Sequence, residues 1–284
     1  MLRKFSNTRS VFFGRAGLIF FMAFLCSSYS GKQTVLIHSH NDYQKNIPFY
    51  RAYSQQVHTI EADIYAAPAS DGLLVAHDPH ELDSALSLDE MYLEPLIFLF
   101  GQNEGRPWRG SEQVLTLMID LKTPLHPTID RLIAKLKRHP EVFDPSVNPY
   151  AVRIVISGSR PDPEAFGEYP RFISFDGFID VDYTPQQLER VAFISEPFFR
   201  YSKWKGGADT LSAEDRQVIE SLVAKSHKTG KPIRFWGSPD TVNAWETFRE
   251  LGIDIINTDR PEACTLLPFG RMIRRDNRTC VASA

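Results

Sequence analysis

One rhythm constrains the fold of this chain more than any other feature. Short apolar runs of strand length recur along the sequence, and amphipathic stretches of helical period separate many of them. The candidate strands are TVLIHS (34–39), HTIEADIY (58–65), LLVAH (73–77), VLTLMIDLK (114–122), VRIVIS (152–157), FDGFID (175–180), VAFIS (191–195), PIRFWG (232–237) and IDIINTD (253–259). The helical patterns include IDRLIAKLKRH (129–139), SAEDRQVIESLVAKSH (212–227) and SPDTVNAWETFRELG (238–252). The second opens with Ser212 as N-cap and Asp215 three residues on; the third opens in Ser-Pro-Asp and stops at Gly252. Strands that alternate with helices make a parallel sheet. About eight such units fit an α/β fold of the (β/α)8 TIM-barrel type. A doubly wound open sheet would favour a glycine-rich phosphate loop after the first strand, and the sequence has none. LLVAH follows HTIEADIY across a turn at Asp71-Gly72, so it is expected as a hairpin extension of the second strand rather than a barrel strand. No Gly/Ser-rich linker divides the chain, and residues 31–284 are expected to form a single domain.

The first thirty residues have a different character. Arg3, Lys4, Arg9 and Arg15 precede an apolar core, AGLIFFMAFLC (16–26), and small residues follow at Ser28 and Ser30. That is the pattern of a signal peptide cut ahead of Gly31, which implies an exported protein, periplasmic, cell-envelope or secreted. An uncleaved membrane anchor is one alternative. Another is a lipoprotein with Cys26 as the lipidated residue, although Leu25 stands where that signal usually has a small side chain. Loss of the four basic residues would take the formal net charge from −3 to about −7. Such a balance argues against nucleic acid as a partner, and it gives no reason to expect strong membrane binding beyond the leader. The remaining cysteines, Cys264 and Cys280, could pair in an oxidising compartment or stay as thiols.

Polar residues recur at strand spacing. In HTIEADIY, Thr59, Glu61 and Asp63 share one face, and Ile60, Ala62 and Ile64 share the other. The aliphatic face must meet the helices, so Glu61 and Asp63 point into the barrel near the C-terminal end of their strand. Two inward carboxylates are costly without compensation. One divalent cation, Mg²⁺ or Ca²⁺, bound through oxygen ligands is the simplest compensation; a pair of ion-paired surface acids on an edge strand is the alternative. VLTLMIDLKT repeats the arrangement, with Asp120 and Lys122 on the inward face. Asp120 would be a third ligand, and Lys122 would attract an anion. HSH puts His38 and His40 on one face at the exit of the first strand, and LLVAH ends in His77. Two histidines, three carboxylates and a lysine are thus expected at the face where barrels carry their active sites. The set suits phosphodiester cleavage. One imidazole takes a proton from the attacking group and the other gives one to the leaving alcohol. Positive charge meets the phosphoryl oxygens.

These motifs resemble the phosphatidylinositol-specific phospholipase C/glycerophosphodiester phosphodiesterase superfamily. The wording HSHNDY, EADIY, LLVAHDP and MIDLKT is most similar to its "altered inheritance of mitochondria" branch, and RFWG and INTDRPE resemble the superfamily's closing strands. The resemblance spans roughly residues 33–262. It implies a TIM-type barrel, one divalent metal and two-histidine acid–base catalysis on a small-molecule or lipid phosphodiester. It assigns His40 and His77 as catalytic residues, Glu61, Asp63 and Asp120 as metal ligands, Lys122 as the phosphate-binding lysine, and Trp236 as an aromatic packing on substrate. Asn41, beside His40, and Arg234, two residues before Trp236, join them as expected substrate contacts. The chain departs from the glycerophosphodiesterase pattern at His40-Asn41-Asp42, where those enzymes read His-Arg-Gly, and at Asp120, where they carry Glu. Asp-x-Lys is the pattern of the sphingomyelinase D relatives, so a cyclic-phosphate-forming lyase is an alternative to a hydrolase.

Two other classes stay open on sequence. H-x-H after a first strand also opens amidohydrolases, which need further histidines at later strand ends. A non-catalytic exported binding protein is the other. Arg234 with Trp236, and Asn257 with Asp259, are placed at the pocket rim, the last two alternatively in a strand-end turn. YSKWKGG (201–207) reads as a mobile loop with an aromatic and two lysines.

Overall fold

A computed structural model of the chain describes residues 35–268. The expected leader, Cys26 and Cys280 lie outside the described residues. Nine strands make the sheet: β1 (Leu36–Ser39), β2 (Thr59–Ala66), β3 (Leu73–Val75), β4 (Thr116–Leu121), β5 (Arg153–Gly158), β6 (Ile173–Gly177), β7 (Val191–Pro197), β8 (Ile233–Trp236) and β9 (Ile255–Thr258). Eight of them are parallel and close into a barrel, because β1 pairs with both β9 and β2. β3 pairs antiparallel with β2, Val75 opposite Ile64, as the short turn at Asp71-Gly72 requires.

Side-chain alternation divides the core in two. Ile60, Ala62 and Ile64 of β2 and Leu117, Ile119 and Leu121 of β4 point outward into the layer beneath the helices. The helix Leu125–Leu136 meets that layer with Thr128, Ile129, Leu132 and Leu136, a stripe at helical spacing. Inside the barrel, Met118, Val155, Phe193 and Ile255 form a separate apolar floor near the N-terminal ends of their strands. The helix Ala213–Lys228 begins where Ser212 Oγ accepts from the Asp215 amide at 3.0 Å.

The helical shell is incomplete around β6. A 3-10 segment (Pro163–Glu168) precedes it and a single helical turn (Pro185–Leu188) follows it. The irregular backbone there leaves carbonyls unpaired by a helix, and Arg190 donates to four of them, on Phe166, Tyr169, Pro170 and Ile173.

Three expectations need correction. The strand expected at FDGFID ends at Gly177, because the chain turns outward and exposes Phe178 beneath the Arg160 guanidinium. The helix expected from Ser238 starts at Val242, where Thr241 rather than Ser238 caps it by accepting from the Ala244 amide. The loop 201–207 is anchored rather than loose. Trp204 is buried edge-on against Phe248 and donates to the Asp209 carbonyl. Cys264 is a buried free thiol, pushed up to about 12 by burial. Among the described residues, no helix is long and apolar enough to cross a membrane.

Candidate active site

Successive inward positions on the barrel strands change character from floor to mouth. On β4 the order is Met118, Asp120, then Lys122 just past the strand; on β2 it is Thr59, Glu61, Asp63. In register, Asp63 stands opposite Asp120, and Asp120 opposite Ser157. At the C-terminal mouth these side chains line a cavity of about 370 Å³ with His40, Asn41, His77, Arg160, Asp176, Arg234 and Trp236. The expected catalytic, metal-binding and substrate-contact residues therefore line one cavity.

Glu61, Asp63 and Asp120 present oxygen atoms that lie within 4.8 Å of one another. Lys122 Nζ sits 2.9 Å from Asp63 Oδ2 and 3.4 Å from Asp120 Oδ1. Burial raises the Asp63 pKa, and repulsion from Glu61 adds to it against the pull of Lys122. Burial works against the Lys122 charge, but Asp120 and Asp63 outweigh it and raise its pKa. Gly158 makes room for this cluster. Its φ is +68°, and a Cβ there would collide with Asp120 Oδ1 and the Leu121 carbonyl.

The histidines differ sharply. His38 is fully buried beneath the cluster, with Nε2 3.0 Å from Glu61 Oε2 and 2.8 Å from Arg234 Nη1. Burial, reinforced by Arg234, lowers its pKa to about 4, so it stays neutral near pH 7. His40 faces the cavity: Nδ1 lies 3.0 Å from Asp259 Oδ1, which also accepts from Lys45 Nζ, while Nε2 lies 4.0 Å from Glu61 Oε2. Burial opposes its charge, but the Asp259 hydrogen bond and Glu61 outweigh that and raise the His40 pKa. The same contact holds the Asp259 carboxyl down at about 2. His77 is held on the opposite side of the carboxylates, with Nδ1 3.0 Å from the Tyr43 hydroxyl and 3.3 Å from Asp63 Oδ2. Its backbone is pinned by Glu81, which accepts from its amide, and by the Tyr65 hydroxyl, which donates to its carbonyl. Each cavity-facing imidazole thus anchors Nδ1 and leaves Nε2 to the cavity side.

Arg234 was expected at the rim, and the structure places it deeper. It is buried at mid-barrel, where it donates to Ser195 Oγ and Asn257 Oδ1 and lies 5.7 Å above the Phe193 ring of the floor. A side chain one turn of pleat below the mouth cannot reach the rim; its charge instead compensates Glu61 and Asp176 from below. Trp236 stands at the rim, 39 % exposed and edge-on to Phe199. Asn41 takes a left-handed conformation (φ 43°), which places it beside His40 and lets its Oδ1 accept from Tyr43. Asp259 holds His40, while Asn257 holds Arg234, so both do more than end a strand. The later histidines, His126, His139 and His227, pair with Asp130, Glu141 and Asp254 away from the cavity, which removes the ligand set an amidohydrolase needs.

Sequence reasoning passed over Tyr43, Arg160, Asp176, Ser157 and Ser195. Asp176 and Ser195 end the inward face of β6 and β7, the same signal that found Asp120. A bulge between Phe175 and Asp176 shifts the register there and obscured it. Tyr43 and Arg160 lie in loops, where no strand phase applies.

Residues 29–142 match the AIM6-like phosphodiesterase domain. The chain is 25 % identical over 264 residues to altered inheritance of mitochondria protein 6 from Eremothecium gossypii, covering 80 % of this chain and 68 % of that protein. It is 34 % identical over 298 residues to the protein of that name from Kluyveromyces lactis, covering 78 % of this chain and 70 % of the relative. A crystal structure of a glycerophosphodiester phosphodiesterase from Parabacteroides distasonis shares the fold, with a TM-score of 0.51 and 15 % identity over 87 % of this chain and 99 % of that one. With one relative of this name a third identical over most of both lengths, the chain belongs to the altered inheritance of mitochondria protein 6 family.

Proposed function

We propose that the chain is a phosphodiesterase that depends on a divalent cation and cleaves a small or lipid-linked phosphodiester, of glycerophosphodiester or (lyso)phospholipid type. One observation carries this reading: two imidazoles with anchored Nδ1 atoms face three clustered carboxylates and a lysine in a single cavity. The three carboxylates fit a hard cation such as Mg²⁺ or Ca²⁺, because they offer oxygen donors alone and cluster within the span of one ion. Bound there, such an ion supplies positive charge to the phosphoryl oxygens.

The chain's own residues perform the proton transfers. Asp259 orients His40 and stabilises its imidazolium; Tyr43 and Asp63 orient His77. One Nε2 takes the proton of the attacking hydroxyl or water, and the other returns a proton to the leaving alcohol. Lys122 adds charge where the phosphoryl group sits, and Trp236 packs on the part of the substrate that projects from the mouth.

The test is turnover of bis(p-nitrophenyl) phosphate with Mg²⁺ or Ca²⁺ and after EDTA. The reading expects release of p-nitrophenol that EDTA abolishes and added cation restores. Absence of turnover on every diester tried would favour a binding protein. Asp120-x-Lys122 keeps the lyase alternative in view, and phosphorus NMR of products from a glycerophosphodiester separates them: a monoester marks hydrolysis, a cyclic phosphate marks internal transfer.

A further inference from the structure

The loop 40–49, which leaves β1, reaches both cavity-facing histidines. His40 opens it, and Asn41 lines the cavity beside it. Tyr43 holds Asp63 and His77 through its hydroxyl, at 2.7 Å and 3.0 Å. Lys45 Nζ lies 2.9 Å from Asp259 Oδ1, the atom that holds His40 Nδ1. Asp42 ties this loop together. It is fully buried, and it accepts from the Ser39 hydroxyl at 3.0 Å, from the Tyr92 hydroxyl at 3.1 Å and from the Phe49 amide. The start of the loop is thereby joined to its end and to a segment fifty residues on.

Three uncommon backbone conformations converge on that carboxylate. Asn41 is left-handed, with φ 43° and ψ 50°. Phe49, with φ 61° and ψ −65°, is the centre of a γ-turn of the rare, strained hand, closed by the Tyr50 amide on the Pro48 carbonyl at 2.7 Å. Tyr92 stands on a π-helical turn, Asp89–Leu93. Such conformations persist only where their surroundings over-determine them. The carboxylate is itself costly to bury. Burial raises the Asp42 pKa against the pull of its three hydrogen bonds, and among the described residues no ion pair offsets its charge, since Lys45 is turned to Asp259. An uncharged side chain would hold a loop at less cost. Strain and a charge without a counter-ion thus coincide at the base of the loop that aims the proton-transfer groups.

We propose that Asp42 is a positioning residue of the active site: it clamps the loop 40–49 so that His40, Asn41 and Tyr43, and through Tyr43 also His77, keep the arrangement that proton transfer needs. This rests on the phosphodiesterase reading and adds to it a residue that touches no substrate. Asp42 does not line the cavity, so its effect passes through the loop. Release of the loop by about an ångström moves His40 on one side of the carboxylates and the support of His77 on the other, and misplacement on that scale is enough to slow a reaction strongly.

The experiment uses the full chain with Mg²⁺ or Ca²⁺ and bis(p-nitrophenyl) phosphate, with hydrogen exchange of the Phe49 amide as a second readout. Asp42→Ala should lower kcat about a hundred-fold, with a smaller change in KM. Exchange at Phe49 should quicken about ten-fold. Asp42→Asn should restore kcat to within about five-fold of the wild type, because the carboxamide oxygen still accepts from Phe49 and Tyr92 while its NH2 group turns to Ser39 Oγ. Leu132→Ala, which weakens the outer layer from another helix, should keep the wild-type kcat while folded. Tyr92→Phe removes one of the three bonds and should shift kcat and exchange in the same sense by about three- to ten-fold, which serves if the alanine variant does not fold. A wild-type kcat in Asp42→Ala, an unaltered exchange rate, or a loss that Asp42→Asn does not recover overturns the clamp and leaves the phosphodiesterase reading intact. A like loss of kcat in Leu132→Ala also overturns it, by tracing the effect to stability. No turnover by the wild type, with exchange still quickened in Asp42→Ala, overturns the phosphodiesterase reading instead.

Discussion

The two ends of the barrel interior are built on the same strands and do opposite work. At the floor, Met118, Val155, Phe193 and Ile255 fill the space with apolar volume. Two residues further along, the same inward phase delivers Asp120, Ser157, Ser195 and Asn257, and above them stand the histidines and Lys122. Between the two lies Arg234, stacked over Phe193 below and hydrogen-bonded to the polar layer above. The barrel thus carries an apolar layer toward one end and paired charge at the other. Stability should reside at the floor and chemistry at the mouth, and each can be broken without the other.

The largest effect expected is at the mouth. His77→Ala removes one of the two proposed proton-transfer groups and should lower kcat by about 10²- to 10⁴-fold, with an unchanged melting temperature by circular dichroism. A rate like that of the wild type would remove His77 from the chemistry. The matching break at the floor is Phe193→Ala, which should cost about 3–5 kcal/mol in urea unfolding while the folded protein keeps its kcat. A variant that loses activity but not stability would reverse the comparison.

A smaller effect separates positioning from chemistry. Tyr43→Phe deletes the hydroxyl that joins Asp63 to His77, at 2.7 Å and 3.0 Å. About a ten-fold fall in kcat with little change in KM is expected, since that hydroxyl is engaged by Asn41, Asp63 and His77. An unchanged kcat would mean that Asp63 alone holds the ring. The last concerns acid sensitivity below the floor. His58 has its pKa lowered to about 4 by burial, and its Nδ1 accepts from the Ile37 amide at 3.3 Å. The unfolded chain takes up that proton near the ordinary value of 6.5, so His58 contributes stability above pH 6.5 and loses it as pH falls toward 4. His58→Gln should flatten the decline in unfolding free energy between pH 6.5 and 4.5 by up to about 1.4 kcal/mol per pH unit. An unaltered slope would place the acid sensitivity elsewhere.

Much of this was legible because strand alternation is a strict code. Glu61, Asp63, Asp120 and Lys122 break an aliphatic pattern at positions whose facing the pattern itself fixes, and the barrel follows from the count of such strands. What was hidden obeys no period. Tyr43 and Arg160 reach the cavity from loops, and Asp176 sits at a bulge that shifts its register. Trp204 looked like a loop aromatic because its burial comes from a helix more than forty residues away in sequence. The depth of Arg234 depends on barrel register, which pairs it with Ser195 and Ile255 and which a single strand does not reveal.

The central claim is that the acids at the mouth hold one cation. Crystals soaked in Mn²⁺, which shares the oxygen-ligand preference of Mg²⁺, test it directly by anomalous diffraction. The account predicts one strong peak bonded to Glu61, Asp63 and Asp120. No peak there, or a peak at Asp78, His80 and Glu81 alone, would contradict it.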